Sequence, residues 1–344
     1  MIVELADAAN QDGVDRLTAT CFDHPGLTTW EVRVDGRRFV AVSGDEALIV
    51  EDPGGHPDVI AVHPTTRDGY WLVSRDSGLR YDVRVGGVPI GGAADRMWLA
   101  AGPCAFEDEA DVSRIAKLVR DQGAHALRVG VYKPRTSPYN FQGLGRAAFG
   151  ALREVRAETE LPIVSEVLDP RDVHALAEVV DCLQVGTRNM ANQALLTALG
   201  EAPVPVLLKR GAGAPMAEWI KAAEYVVAHG NPHVVMCARG VTSFDTTTRY
   251  GLDLGVIPAV KRATGLPVVF DPSHSTGDVR LVRAAAAAAA AFGADGLLVE
   301  SHDAPHTMYR PGDGAQAYPP AKLAELAETA NRVRSLLTEV DRAA

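Results

Sequence analysis

From residue 97 to residue 299 the chain repeats one unit: a short run of Val, Leu, Ile and Ala, a polar break, then a segment with helical spacing. The runs fall at 97–101, 126–132, 162–167, 182–185, 204–208, 234–237, 268–270 and 296–299. They lack strict polar alternation, as strands buried on both faces do, and a helical segment between successive strands makes those strands parallel. Eight strand–helix units over about 240 residues fit a (β/α)8 TIM barrel, an α/β fold closed on itself. A doubly wound open sheet is the competing architecture.

The first 66 residues read differently. An apolar run at 2–5 precedes a helix over 10–22 with Val14, Leu17 and Cys21 on one face. Two β-rich runs, 28–34 and 37–42, flank the dipeptide Asp35-Gly36, a strong hairpin signal. A second helix is expected to begin at 46–50, cut short by Pro53-Gly54-Gly55, and a last strand at 59–62. That order, β-α-β-β-α-β, is the split arrangement of a small ferredoxin-like α+β domain. The expected organisation is therefore a 1–66 domain, a 67–95 linker with a hairpin at 80–90, and a 96–344 barrel.

A formal net charge of −10 over 344 residues argues against a sequence-independent nucleic-acid binder or a binder of anionic membranes. Cys21, Cys104, Cys182 and Cys237 lie far apart without a CxxC pair, so neither a disulfide framework nor a zinc ribbon is indicated. No basic segment leads into an apolar one at the N-terminus, and no run nears the ~18–20 apolar residues of a membrane span. The expected setting is a reducing, cytoplasmic one.

In a barrel every strand's C-terminal end faces one mouth, and here each run ends on reactive or charged residues. In chain order these are Cys104; Lys133-Pro134-Arg135-Thr136, with Arg128 inside the run; Glu166; Arg188; Lys209-Arg210; Arg239; Ser273-His274; and Glu300-Ser301-His302. Two chemistries separate. Arg128, Lys133, Arg135, Arg188, Lys209, Arg210 and Arg239 concentrate positive charge in an acidic protein, and guanidinium forks bind phosphate bidentately. Such a set implies polyanionic ligands, most simply two phosphorylated substrates, with a buried salt bridge as the plainer role for any single member. Lys209 has a rival reading as a Schiff-base lysine. Cys104, His274, Glu300 and Asp313 offer mixed S, N and O donors that suit one divalent Mn, Fe, Co or Zn ion. Cys182 and Cys237 read as small buried hydrophobes within strands.

Those residues lie in longer motifs: AGPCAFED (101–108), KPRTSPYNFQGLG (133–145), SEVLDP (165–170), QVGTRNM (184–190), LLKRG (207–211), DPSHSTG (271–277) and LVESH (298–302). Together they resemble the 3-deoxy-D-arabino-heptulosonate 7-phosphate (DAHP) synthases, in the microbial branch with an N-terminal ferredoxin-like domain. The resemblance spans about residues 97–320. It implies condensation of phosphoenolpyruvate with D-erythrose 4-phosphate and water to give DAHP and phosphate, the first step of the shikimate pathway of aromatic amino acid biosynthesis. It implies metal ligation by Cys104, His274, Glu300 and Asp313. Arg128, Lys133, Arg188, Lys209 and Arg239 would hold phosphoenolpyruvate, with Glu166 and Arg210 nearby. Pro134, Arg135 and Thr136 would position the aldose phosphate. Lys133, Glu166 and His274 are the expected catalytic groups.

Several positions depart from the family pattern: Ala238 stands where an acidic residue is usual, Tyr250-Gly251 where Asn-Thr follows Arg249, and Gly213 and Pro215 alter the loop after the fifth run. They leave open a specialised paralogue that takes a different aldose phosphate, a modified erythrose 4-phosphate or arabinose 5-phosphate. The resemblance also implies a homotetramer and an N-terminal domain that binds an aromatic amino acid effector, Phe or Tyr. A purely structural domain is the other reading.

Overall fold

Four strands precede the barrel: β1 (Ile2–Leu5), β2 (Thr28–Val34), β3 (Arg37–Ser43) and β4 (Val59–His63). In the computed structural model, which describes residues 1–65, 69–92, 94–309 and 313–343 (the side chains of Asp313 and 338–343 excepted), they form an antiparallel sheet in the order β2-β3-β1-β4. The Asp35-Gly36 turn joins β2 to β3 with positive φ at both residues, 52° and 73°, as a two-residue hairpin twisted with its strands requires. Helix Gln11–Cys21, capped by the Asn10 side chain, packs Val14, Leu17 and Cys21 against Val3, Leu5 and Val40. The second helix expected at 46–50 does not form. Two 3-10 turns, Glu46–Leu48 and Pro53–Gly55, replace it, each started by an aspartate side chain that accepts a backbone N–H. The segment before Pro53 is too short to propagate a helix once nucleated.

The sheet's other face, with Val32, Val34 and Phe39, joins the barrel core through Trp71, Leu72 and Val73. Charge is buried along this seam. Glu4 accepts from Arg37 Nε at 2.8 Å and Nη2 at 2.6 Å, and lies 2.9 Å from His63 Nε2. The His63 ring stacks on Trp71 with centroids 4.0 Å apart. Glu224, on helix Met216–Ala228, accepts the backbone N–H groups of Trp71, Leu72 and Val73, each at 2.9 Å. Trp30 Nε1 donates to Ala228 O on the same helix.

A short hairpin, β5 (Arg84–Val85) with β6 (Val88–Pro89), lies under the barrel. Its neighbours Val83, Val85 and Ile90 cluster with the inward-facing Trp98, Ala100, Ala126, Val164 and Leu298, so apolar side chains fill this end. The barrel strands are β7 (Trp98–Gly102), β8 (Ala126–Arg128), β9 (Ile163–Val167), β10 (Cys182–Val185), β11 (Val206–Lys209), β12 (Val234–Ala238), β13 (Val268–Phe270) and β14 (Gly296–Glu300). All pair in parallel, and β14 closes on β7. The expected strand at 126–132 keeps only its first three residues. Beyond Arg128 the chain turns to the mouth, where Gly130 O accepts from Phe106 N and Val131 O from Gly145 N. The alanine run 284–291 lies within helix Val279–Ala291. Among the described residues no helix is long and apolar enough to cross a membrane.

Candidate active site

The strand ends converge as a barrel requires. Cys104 follows β7, Glu300 ends β14, and His274 sits on the helical turn Pro272–Thr276 that follows β13. Cys104 Sγ lies 3.4 Å from His274 Nε2, and His274 Nε2 lies 3.4 Å from Glu300 Oε2. Donor atoms of all three fall within 4.8 Å of one another, a spacing that one ion with bonds of ~2.0–2.3 Å can bridge.

The neighbours prepare that donor set. Asp271, buried at the N-terminus of the turn, accepts from His274 N at 2.9 Å and presents Oδ2 2.9 Å from His274 Nδ1. A carboxylate behind the far ring nitrogen orients an imidazole with Nε2 free to ligate. Burial pushes the His274 imidazole below its usual range despite Asp271 and Cys104, which favours the neutral ligand form. Burial and Glu300 push the Cys104 thiol up, but Lys133, Arg128 and His274 outweigh them and bring it down to about 6. Lys133 Nζ donates to Cys104 Sγ directly. Thiolate, neutral imidazole and carboxylate therefore fit a borderline divalent ion. Asp313, expected as the fourth ligand, opens a 3-10 turn Asp313–Gln316, and its side chain lies outside the described part.

Beside this group opens a cavity of about 230 Å³. Its lining holds Arg128, Lys133, Arg135, Arg188, Lys209, Arg239 and Arg249, with Pro134, Thr136 and Glu166. Several of these polar groups are buried without a full set of partners: Arg128 Nε and Nη2, Arg239 Nε and Glu166 Oε1 have no hydrogen bond among the described residues. Unpaired buried donors are expensive unless something else binds them. Burial raises the Glu166 carboxyl above its usual range, against Lys209, Lys133 and Arg128. Its other oxygen accepts from Gln184 Nε2 at 3.0 Å. A Cβ at Gly186 would stand 1.9 Å from Glu166 Oε1, so any larger residue there would displace that carboxylate. Lys209 Nζ donates to Asp271 Oδ2 at 2.7 Å, a buried ion pair that occupies the amine.

Arg210 is the exception among the expected cations. Its guanidinium pairs with Asp253, its Nε donates to Ala214 O at 2.9 Å, and it does not line the cavity. It takes the plainer role of a structural salt bridge. The sequence reading missed Asp271, Gln184, Thr187 and Gln316. Gln184 carried a signal as the polar member of an apolar strand, and Asp271 as the carboxylate closing another. Gln316 carried none, because Tyr318 N to Glu300 O at 2.8 Å is what draws its segment back to the mouth. His302 turns outward to a separate crevice with Asp111 and Met308.

Residues 80–339 match the family model described as the DAHP synthetase I family. A phospho-2-dehydro-3-deoxyheptonate aldolase of Thermotoga maritima is 36% identical over 282 residues, 82% of this chain and 82% of that one. A 2-dehydro-3-deoxyphosphooctonate aldolase of Acidithiobacillus ferrooxidans is 33% identical over 248 residues, 67% of this chain and 86% of its own. The crystal structure of the Thermotoga maritima DAHP synthase superposes with a TM-score of 0.74 at 31% identity, over 98% of this chain and 97% of that one. A truncated form of 3-deoxy-D-arabino-heptulosonate 7-phosphate synthase from the same organism covers 77% of this chain and 97% of its own, with a TM-score of 0.69 and 32% identity. The family match runs from the hairpin under the barrel to the last helix and takes in every strand end that meets at the mouth, so the chain belongs to the DAHP synthetase I family.

Proposed function

We propose that the protein is a DAHP synthase that condenses phosphoenolpyruvate with D-erythrose 4-phosphate and water, releasing DAHP and inorganic phosphate. The observation that carries this reading is one cavity that joins incompletely paired buried cations to the Cys104–His274–Glu300 donor set. Arg128, Lys209 and Arg239 grip the phosphate and carboxylate of phosphoenolpyruvate. Arg135 and Thr136, at the outer part of the lining, hold the phosphate of the aldose, and Arg188, which the resemblance placed on phosphoenolpyruvate, joins them because its Nη2 reaches Thr136 Oγ1 at 3.5 Å. Fixing both substrates by their phosphates supplies the orientation that carbon–carbon bond formation needs.

In the reaction, C3 of the enol attacks the aldehyde carbon while water adds at C2. The proton lost by the water balances the one gained by the aldehyde oxygen; the adduct then breaks its C–O bond to phosphate as the C2 hydroxyl becomes the ketone, and that hydroxyl's proton leaves with the phosphate. Lys133 and Glu166 are the groups within the cavity that move protons, and the surrounding cations stabilise the departing phosphate. A divalent ion held by Cys104, His274, Glu300 and Asp313 would supply Lewis-acid polarisation of the carbonyl.

The four-carbon aldose is favoured over arabinose 5-phosphate by the KPRT segment and by the likeness to the Thermotoga enzyme, which extends through the N-terminal region. We read that region as a ferredoxin-like domain over 1–66 whose second helix has shrunk to 3-10 turns. The sheet order β4-β1-β3-β2 supports this. Its assigned role is feedback control by Phe or Tyr in a cytoplasmic homotetramer. The test of function is phosphate release from phosphoenolpyruvate by chelator-treated protein resupplied with Mn, Fe, Co or Zn, with each aldose in turn. Release with erythrose 4-phosphate exceeding that with arabinose 5-phosphate by tenfold or more is expected, and none with erythrose 4-phosphate would refute the assignment. Titrating Phe and Tyr into the same assay tests the regulatory role; no inhibition by either refutes it.

A further inference from the structure

Three side chains in the mouth, Tyr250, Arg249 and Gln316, link Arg239 to Glu300 and have no part in the reaction outlined above. The Arg239 guanidinium carbon lies 4.2 Å from the centroid of the Tyr250 ring, and that of Arg249 lies 5.8 Å from the same ring. Arg249 Nη1 donates to Gln316 Oε1 at 2.9 Å, and Gln316 Nε2 donates to Glu300 Oε2 at 2.5 Å. The backbone beneath is pinned as well: Arg249 N and Tyr250 N donate, each at 3.0 Å, to Thr276 O and Ser275 O, on the turn that carries His274. Tyr250, Arg249 and Arg239 all line the cavity.

Arg239 needs such support. Its Nη1 donates to Thr187 Oγ1 and its Nη2 to His274 O, both over a long 3.2 Å, its Nε has no partner among the described residues, and the Tyr250 hydroxyl interacts with it besides the ring. A guanidinium in that state can swing, and each lost orientation weakens its grip on a planar, bidentate ligand. An aromatic face over one side of the plane restrains it and leaves the donor edges open to ligand. The electron-rich ring also eases the crowding of two arginines in one site.

Taking the proposed function as its basis, we propose that Tyr250 is a positioning residue. Its ring, backed by Arg249, holds Arg239 edge-on to the phosphate ester, and Gln316 ties this brace to Glu300. The phosphate grip and the Glu300 side of the site then share one frame. The consequence falls on binding of the phosphorylated enol acid rather than on the chemical step.

The test is calorimetric titration of inorganic phosphate and of phosphoenolpyruvate into the chelator-treated, full-length protein and its Tyr250→Leu and Tyr250→Phe variants. Loss of the aromatic face in Tyr250→Leu is expected to weaken both ligands about five- to tenfold, while Tyr250→Phe stays within about twofold of the parent. In turnover assays Tyr250→Leu should raise KM for phosphoenolpyruvate by a similar factor with kcat changed less than about twofold. Equal weakening in Leu and Phe variants, or none in either, overturns the brace. Should Tyr250→Leu melt early, Tyr250→Trp decides: retained phosphate binding supports the brace and lost binding overturns it. Absence of turnover in the parent protein would refute the functional reading, and the phosphate titration would still decide this one.

Discussion

The barrel mouth and the seam between the N-terminal sheet and the barrel both bury charge, and they treat it in opposite ways. At the seam each carboxylate is saturated: Glu4 by Arg37 and His63, Glu224 by three backbone amides. At the mouth Arg128, Arg239 and Glu166 keep donors and an acceptor without partners among the described residues, around an open cavity. A satisfied buried charge fixes architecture, whereas an unsatisfied one is destabilising until a ligand completes it. The two regions use the same residue types, Arg and Glu, in opposite states. Arg210 shows the rule within the mouth itself: it sits next to Lys209 in sequence, yet its bonds to Asp253 and Ala214 remove it from the ligand's reach.

That contrast can be broken experimentally. The largest effect belongs to the donor set. Cys104→Ala, or chelation of the parent protein, should lower phosphate release by at least about a thousandfold, with bound metal counted alongside. Turnover by metal-free protein at the parental rate would remove the ion from the account. Next comes Lys209→Met, which removes the ion-pair partner of buried Asp271 and leaves that carboxylate only its contacts with His274. Denaturant unfolding should show a loss of about 3–5 kcal/mol, partly restored in the double variant with Asp271→Asn. A single variant as stable as the parent would contradict the pairing.

At the seam, Glu224→Ala should lower stability by about 2–3 kcal/mol by stranding three amides, while both substrates keep their KM. A raised KM with unchanged stability would reverse the assignment of the two regions. The smallest effect is on acid tolerance. Arg37, with His63 adding to it, holds the Glu4 carboxyl below its usual 4.5 despite burial. The stability this contributes is complete above that pH and is lost as the pH falls through the lowered value. Melting curves between neutral pH and pH 3 should therefore drop more steeply for the parent than for Glu4→Gln, and parallel curves would show that the pair adds nothing.

Much of this was legible in the residues. Runs ending in Glu166, Lys209 and Glu300 are strands buried on both faces, so their apolar content marks them and their first polar residue marks the mouth. β10 and β13 begin and end where the runs did. The 126–132 run overshot because Val129 and Val131 are apolar for a different reason: they are buried in an irregular segment strapped by Gly145. The segment 46–50 has helical composition, yet its turns are set by Asp45 and Asp52, local caps that an apolar pattern does not report. Within the site, residues that touch the ligand cavity from strand ends could be read from position. Of those that act through another side chain, Asp271 lies three residues from His274 in the same turn, whereas Gln316 meets Glu300 only once the barrel closes and its segment returns to the mouth.

The account rests on the mouth's open cations being a phosphate-ester site, and ligand-linked stability tests that most directly. Thermal melts of the full-length protein and of Arg128→Met are compared with and without phosphoenolpyruvate. At about a hundred times its Kd, the ligand should stabilise the parent by about 2.7 kcal/mol and leave Arg128→Met unmoved. Equal stabilisation of both proteins, or none of the parent, would contradict it.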